Sequence, residues 1–160
     1  MPNEPTDLLS ERERSDLLAA LDDEYMARAT YTQVIDDFGP VRPFVNIVEA
    51  EGRHAAALER LLARYQVPVP PDTWPGRVAR YPSIRTACEA AVEAEIENGA
   101  LYTRVLGGTD RPDILEVYRN LQEASQERHL PAFRRCAERG AGGDGEGRGR
   151  RRRRRRRGPV

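Results

Sequence analysis

Two segments of this chain repeat each other with helical spacing, and this internal repeat limits the folds that the chain can adopt. Residues 20–35 (ALDDEYMARATYTQVI) align without a gap with residues 91–106 (AVEAEIENGALYTRVL). Each copy places a glutamate seven residues before a tyrosine, so the two side chains lie two turns apart on one helix face. Residues 46–54 and 120–129 match more loosely, with one extra residue in the second segment. The pattern predicts a duplicated helical hairpin.

Start and stop signals bound four predicted helices, and a proline-rich crossover at residues 68–82 separates the second from the third. Ser10 and Glu13 form a capping box before the first helix. Ser83 and Asp110 are the predicted caps of the third and fourth. The predicted helices cover approximately residues 11–38, 43–66, 84–106 and 111–139. Since no strand pattern is present, we predict an all-α, antiparallel four-helix bundle with one longer crossover.

The end of the chain differs in composition from the rest. Residues 1–139 contain 17 arginines and 24 acidic residues, whereas residues 140–160 contain 9 arginines and two acidic residues. We therefore predict a bundle domain at 1–139 and a disordered Gly/Arg-rich tail at 140–160. The run Arg150–Arg157 favours electrostatic contact with nucleic acid or another polyanion, without aromatic residues to stack on bases. The alternative is a tail without a partner that folds back onto the acidic bundle.

The chain contains only two histidines, and the looser repeat places His54 and His129 at equivalent positions, each directly after an arginine. Glu51 precedes His54 by three residues, so both side chains lie on one helix face and can bind one ion. A glutamate from each of two helices, with a Glu-x-x-His motif from each of the other two, is the ligand pattern of di-iron carboxylate bundles. The histidines therefore indicate a metal centre inside the bundle.

The run FVNIVEAEGRHAAAL at residues 44–58, with Glu24 and Tyr31 upstream, resembles the ferritin-like superfamily. It is most similar to rubrerythrin-type proteins and to an uncharacterised bacterial ferritin-like family, over about residues 10–139. The resemblance implies a ferritin-like bundle with iron as its metal, although imidazole and carboxylate ligands suit manganese or zinc equally. The metal ligands that it implies are Glu24, Glu51, His54, Glu95 and His129.

The fourth helix departs from the family pattern. Gln126 lies three residues before His129, where the family has a glutamate. If the extra residue of this segment forms a π-bulge, Ser125 takes that position instead. The loss of a carboxylate leaves two alternatives, which are one well-bound metal near Glu51 and His54 with a weaker second site, or an asymmetric pair.

Two tyrosines, and Gln126 of the fourth helix, are expected to act through the predicted ligands. Buried carboxylates need hydrogen-bond partners, so we expect Tyr102 to pair with Glu24 and Tyr31 with Glu95. In a protein without a metal site, the same bonds would belong to a purely structural interior.

The two cysteines are predicted to share one layer of the bundle. Cys88 lies seven residues before Glu95 and Cys136 lies seven residues after His129. If Glu95 faces His129 in antiparallel helices, the cysteines also face each other. We expect two buried free thiols, as suits a reducing cytoplasm, with a disulfide as the alternative.

Several functions are compatible with these features. The leading hypothesis is a metal-binding oxidoreductase, ferroxidase or peroxidase-like, whose carboxylate-bridged iron centre reacts with dioxygen or peroxide. Because Cys-x-x-Cys pairs are lacking, it would need a separate electron donor. The alternative is a non-catalytic bundle with a degenerate metal site, acting as a structural or polyanion-binding module, which Gln126 favours. A ferritin-like storage cage is a third hypothesis.

Location and assembly are predicted from simpler features. No run approaches the roughly 18 apolar residues that span a membrane, and the first residues lack the pattern of an export signal. We therefore expect a cytoplasmic protein without membrane contact, and a homodimer is one assembly that the sequence allows.

Overall fold

The structure is a computed structural model that describes residues 8–142. All regular structure within these residues is helical. The elements are α1 (Glu11–Phe38), α2 (Phe44–Arg64), α3 (Ile84–Leu106), α4 (Pro112–Glu123), a π-helical segment (Ala124–His129) and α5 (Leu130–Gly142). The last three follow each other without a break and form a fourth helical rod. The chain is a helical bundle of four rods, which confirms the all-α prediction.

The boundaries at the end of the bundle differ slightly from the prediction. The last helix continues to Gly142, three residues beyond the predicted domain end at residue 139. The rest of the predicted tail, with Arg150–Arg157, lies outside the described residues. None of the helices between residues 8 and 142 is long and apolar enough to cross a membrane.

The first and third helices begin at the predicted caps. The Ser10 hydroxyl accepts the backbone N–H of Glu13 at 3.1 Å, and the Glu13 carboxylate accepts the N–H of Ser10 at 2.9 Å. Ser83 and Thr86 exchange the equivalent bonds at the start of α3, at 3.1 and 3.2 Å. Each bond satisfies an N–H group that has no partner inside its helix.

The predicted cap at Asp110 is wrong. Arg111 occupies the N-cap position of α4, where no side chain caps the helix. The Arg111 N–H bonds to the hydroxyl of Thr109 at 3.1 Å, and its guanidinium binds Glu13 of α1 at 3.1 Å. Helix α4 therefore starts at Pro112, whose missing N–H needs no partner in the first turn.

Two apolar clusters fill the interior. On each rod, the buried glutamate or histidine lies in the sequence between the residues of one cluster and those of the other. One cluster includes Leu17, Leu21, Leu58, Leu62, Tyr102, Val105, Ile114 and Tyr118. The other includes Tyr31, Val34, Phe44, Ile47, Cys88, Ala91, Phe133 and Cys136. A polar layer therefore crosses the middle of the bundle, with apolar packing on both sides of it.

A disulfide between Cys88 and Cys136 joins α3 to α5, and both residues are buried. The two Cα atoms lie 5.9 Å apart, which confirms that the cysteines share a layer. The expectation of two free thiols is wrong, because this separation lies within the range that a disulfide requires.

The crossover between α2 and α3 is attached to α1 along its length. Its polar contacts include Trp74 Nε1 to Asp22 at 2.9 Å, Arg28 to Asp72 at 3.0 Å, and Arg80 Nε to Asp37 at 3.0 Å. Trp74 also packs against the first apolar cluster. These contacts place the crossover over one side of the polar layer.

Candidate metal centre

All five predicted ligands lie together in the polar layer. They come from every rod, with Glu24 on α1, Glu51 and His54 on α2, Glu95 on α3, and His129 at the end of the π-helical segment. The three glutamates and His129 are at most 4% exposed, and the His54 side chain is 12% exposed. Carboxylates and imidazoles buried this deeply need partners or compensating charge.

The ligand atoms form two groups that share Glu51. One group contains Glu24, Glu51 and His54, the other contains Glu51, Glu95 and His129, and within each group the atoms lie within 4.8 Å of one another. Glu51 Oε2 lies 3.1 Å from His54 Nδ1, whereas Glu51 Oε1 lies 3.2 Å from His129 Nδ1. The two imidazole rings stack at 5.4 Å. Each oxygen of Glu51 thus faces a different group.

Two buried tyrosines orient the outer carboxylates. The Tyr102 hydroxyl donates to Glu24 Oε1 at 2.6 Å, and the Tyr31 hydroxyl donates to Glu95 Oε1 at 2.9 Å. Both predicted pairings are confirmed. Because each tyrosine occupies one oxygen, Glu24 keeps Oε2 directed at His54 Nδ1, 3.5 Å away.

The fourth rod contributes Ser125 to the layer instead of a carboxylate. The Ser125 hydroxyl donates to Glu95 Oε2 at 2.5 Å. Gln126 lies behind Ser125, because its Nε2 donates to the Glu95 carbonyl at 2.7 Å and to the Ser125 hydroxyl oxygen at 2.9 Å. A Cβ on Gly99 would lie 2.4 Å from the Gln126 side chain, so Gln126 lies flat against α3. Gln126 therefore supports the helix that carries Glu95 without reaching the ligand atoms.

The π-helical segment confirms the predicted π-bulge. It also explains why Ser125, and not Gln126, faces the Glu95 carboxylate. Its extra residue turns Ser125 toward Glu95, and the N–H of Leu130 bonds to the Ser125 carbonyl five residues earlier. Pro131 follows directly and has no N–H to donate to the helix. Pro131 therefore lies just beyond the end of the π-helical geometry.

Two atoms of the cluster are buried without a hydrogen-bond partner among the described residues, namely Glu24 Oε2 and His129 Nδ1. Carboxylate oxygens lie 3.2 and 3.6 Å from His129 Nδ1, close enough for charge attraction but not aligned for a hydrogen bond. Such unsatisfied groups are rare in protein interiors. Three carboxylates and two imidazoles that converge in this way fit a pair of divalent cations.

The cluster strongly shifts the protonation of its members. Burial and the charge of Glu51 raise the pKa of Glu24 to about 7. Burial alone would lower the pKa of both histidines, but the carboxylates beside them raise the pKa of His54 and of His129 to about 9. Burial likewise opposes ionisation of Glu51, yet the imidazoles of His129 and His54, which lie beside its two oxygens, keep its pKa below the ordinary value. Without metal, both imidazoles are therefore protonated at neutral pH.

These shifts predict that the metal-free protein loses stability as the pH rises from about 6.5 to 9. In that window the folded state holds histidine protons that the unfolded state has released, so the stabilisation present below pH 6.5 disappears above pH 9. Glu24 acts in the same direction between pH 4.5 and 7. We expect a loss on the order of 3 kcal/mol for each histidine, measured by urea unfolding in chelator.

The metal-loaded protein provides the control for this prediction. Metal ligands must be deprotonated, so metal affinity should rise with pH and the loaded protein should lose less stability than the metal-free protein over the same window. Equal or greater stability of the metal-free protein at about pH 9.5 than at pH 6.5 would contradict the assigned protonation states.

The sequence did not predict a cavity of about 200 Å³ that reaches the cluster between α1 and α3. Ala27, Ala91 and Ala94 are among the small residues that line it, together with the only tryptophan, Trp74. The alanines near the glutamates of α1 and α3 could have indicated a cavity. Alanine is also common in helices because of its high helix propensity, so the signal was not specific.

The fold and this cluster define a class, namely an all-helical bundle with a buried carboxylate and histidine cluster that could hold metal. No protein-family model matches the chain. The chain is 28% identical over 148 residues to the uncharacterized protein MJ0754 of Methanocaldococcus jannaschii, covering 83% of this chain and 77% of that protein.

A solved structure is also similar. The crystal structure of hypothetical protein MJ0754 from Methanococcus jannaschii has a TM-score of 0.74 and 26% identity, covering 88% of this chain and 86% of that chain. The similarity therefore extends over most of both chains. Since that protein is described as uncharacterized or hypothetical, the functional inference rests on the site itself.

Proposed function

We propose that this chain is a ferritin-like metalloprotein in which Glu51 bridges two divalent metal ions, with iron as the physiological metal. The proposed activity is that of an oxidoreductase acting on dioxygen or peroxide. The observation that carries the proposal is the position of Glu51, whose two oxygens lie 3.1 and 3.2 Å from imidazole nitrogens of two separate ligand groups.

The pairing of the helices, and the helices that supply the candidate ligand side chains, support the antiparallel, ferritin-like arrangement. Helix α1 packs mainly against α2, and α3 packs mainly against α5, as expected of two hairpins. The odd helices α1 and α3 each supply one glutamate, and α2 supplies the Glu-x-x-His pair. This distribution is that of di-iron carboxylate bundles, apart from the serine on the fourth rod.

In the proposed centre, Glu24 and His54 would hold one ion, Glu95 and His129 would hold the other, and Glu51 would contribute to both. Bound iron would supply the electrons that reduce dioxygen or peroxide. Tyr31 and Tyr102 fix the outer carboxylates before metal arrives, which reduces the reorganisation that binding requires. Burial keeps bulk water away from the ligand atoms. Both cysteines are joined in a disulfide, so a separate electron donor is part of the proposal.

Anaerobic loading with Fe(II), followed by dioxygen or peroxide, tests this function. We expect the loaded protein to oxidise its iron faster than the same concentration of free Fe(II), and Glu51→Ala to abolish the difference. Glu49→Ala is a matched control, because Glu49 is an exposed glutamate on the same helix. Two bound irons that react no faster than free iron would contradict the oxidoreductase and leave the metal centre in place.

A glutamate introduced at position 125, rather than at 126, is expected to strengthen the centre. Ser125 contacts the Glu95 carboxylate, so Ser125→Glu adds a carboxylate beside the second ion and should tighten its binding about tenfold or more. Gln126→Glu places a carboxylate against the Glu95 carbonyl, which should destabilise the protein by about 1–3 kcal/mol without improving metal binding.

Competition between each variant and a chromophoric chelator for Mn(II) measures the difference. The opposite order, with tighter binding in Gln126→Glu than in Ser125→Glu, would show that the fourth rod does not present Ser125 to the metal.

A second candidate is a non-catalytic bundle with a degenerate site, which the serine at position 125 favours. Such a protein would retain little metal after reconstitution, and its function would depend on structural or polyanion contacts. Contacts with nucleic acid through the tail, a cage, a homodimer and a cytoplasmic location all stay predictions. The disulfide does not favour the cytoplasmic location, because disulfides are more typical of oxidising compartments.

A further inference from the structure

The cavity between α1 and α3 opens beneath the crossover and ends at the proposed metal centre. Tyr31, Glu51 and Glu95 form its inner end. Its walls are mostly small or apolar and include Met26, Ala27, Val78, Ala91 and Ala94, while Trp74 of the crossover closes one side. The hydrogen bond from Trp74 Nε1 to Asp22 at 2.9 Å holds this wall in place without a ligand. The cavity is therefore largely preformed, as is usual for small-molecule sites.

One buried polar group on the cavity wall lacks a partner. Asn98 is 6% exposed and lines the cavity, and its Nδ2 donates to Asp23 at 2.6 Å. Its Oδ1 has no hydrogen-bond partner within residues 8–142. Leaving a buried acceptor unpaired costs about 1–3 kcal/mol, which a ligand that donates a hydrogen bond would offset.

The charges around the cavity exclude one class of ligand. Asp23 and Glu97 line it together with the inner carboxylates Glu51 and Glu95, and Arg77 is the only basic residue among the lining residues that the structure describes. In the metal-free protein the balance of these lining charges is negative. Anions are therefore disfavoured.

We propose that this cavity binds a small neutral aromatic molecule with one hydrogen-bond donor, of the size of phenol. An apolar cavity of about 150 Å³ holds benzene, so about 200 Å³ accommodates a ring with a substituent. The ring packs against the alanines, Met26 and Trp74, and the donor satisfies Asn98 Oδ1. Such a ligand lies beside Glu51 and Glu95, in the position of a substrate. Its role as substrate rests on the proposed function, but its binding does not.

Titration of the full chain with 4-fluorophenol, followed by ¹⁹F NMR, tests the proposal. We expect saturable binding to one site in both the metal-free and the Zn(II)-loaded protein, with a change in Trp74 fluorescence. Fluorobenzene, which lacks the donor, should bind about fivefold more weakly, because Asn98 Oδ1 stays unpaired. In the metal-free protein, 4-fluorobenzoate should bind more weakly still, since it brings a negative charge to an acidic wall.

Variants locate the binding. Ala94→Leu fills the cavity and should weaken 4-fluorophenol binding about tenfold or more, whereas Ala100→Leu, at an exposed position of the same helix, should change it less than about twofold. Ala27→Leu on the opposite wall should reproduce the loss if Ala94→Leu does not fold. Absence of saturable binding, unchanged affinity in both cavity variants, or preference for the benzoate would overturn the proposal. Metal analysis of the unliganded protein reports separately on the metal centre.

Discussion

The double substitution Glu51→Ala and His54→Ala is expected to remove both metal ions, reducing the bound metal from about two ions per chain to almost none. The reason is that both ligand groups depend on Glu51, and His54 is the only imidazole of the first. His54→Ala alone should lose one ion, because Glu51, Glu95 and His129 still converge. Metal analysis after reconstitution and desalting measures each stoichiometry.

Controls on the same helix separate loss of ligands from loss of fold. Glu49→Ala removes an exposed glutamate of α2 and should bind as much metal as the unsubstituted protein. Circular dichroism should show that all variants keep their helices. A double variant that retains full metal content would place the ions elsewhere and contradict the proposed centre.

Reduction of the disulfide is expected to produce the largest change in stability, about 4 kcal/mol in the free energy of unfolding. Cys88 and Cys136 are 48 residues apart, so the bond removes much conformational freedom from the unfolded chain. It also ties α3 to α5 two turns from both Glu95 and His129. Urea unfolding of the metal-free protein, with and without reductant, measures the effect.

The matched control for this experiment is the double variant Cys88→Ala and Cys136→Ala. It should unfold at a lower urea concentration than the oxidised protein, and reductant should not change that concentration. If the oxidised and reduced proteins unfold at the same urea concentration, the bond contributes no constraint in solution.

The grouping of buried glutamates and histidines could be predicted from sequence because the internal repeat contains the same pattern twice. The ungapped repeat pairs Glu24 with Glu95, and helical spacing then places each tyrosine near the glutamate of the other copy. Tyr102 and Tyr31 donate to those carboxylates at 2.6 and 2.9 Å. Spacing of this kind depends only on α-helical geometry, which α1 and α3 follow throughout.

Other features depend on how the rods pack and were less accessible. The extra residue before His129 predicted a π-bulge, but not that Gln126 would lie on Gly99 while Ser125 binds Glu95. The N-cap residue of α4 is Arg111 and not the predicted Asp110, because the Arg111 guanidinium binds Glu13 of another helix. The cavity depends on where the crossover places Trp74, a position that no local pattern determines.

The central claim is that Glu51 joins two metal positions, and electron paramagnetic resonance of the Mn(II)-loaded protein tests it most directly. A shared carboxylate should couple the two ions, so we expect the spectrum of a spin-coupled Mn(II) pair at saturating metal. Glu51→Ala should abolish that spectrum, whereas Glu49→Ala should preserve it. Signals of isolated Mn(II) alone at saturation, or a coupled spectrum that survives Glu51→Ala, would contradict the claim.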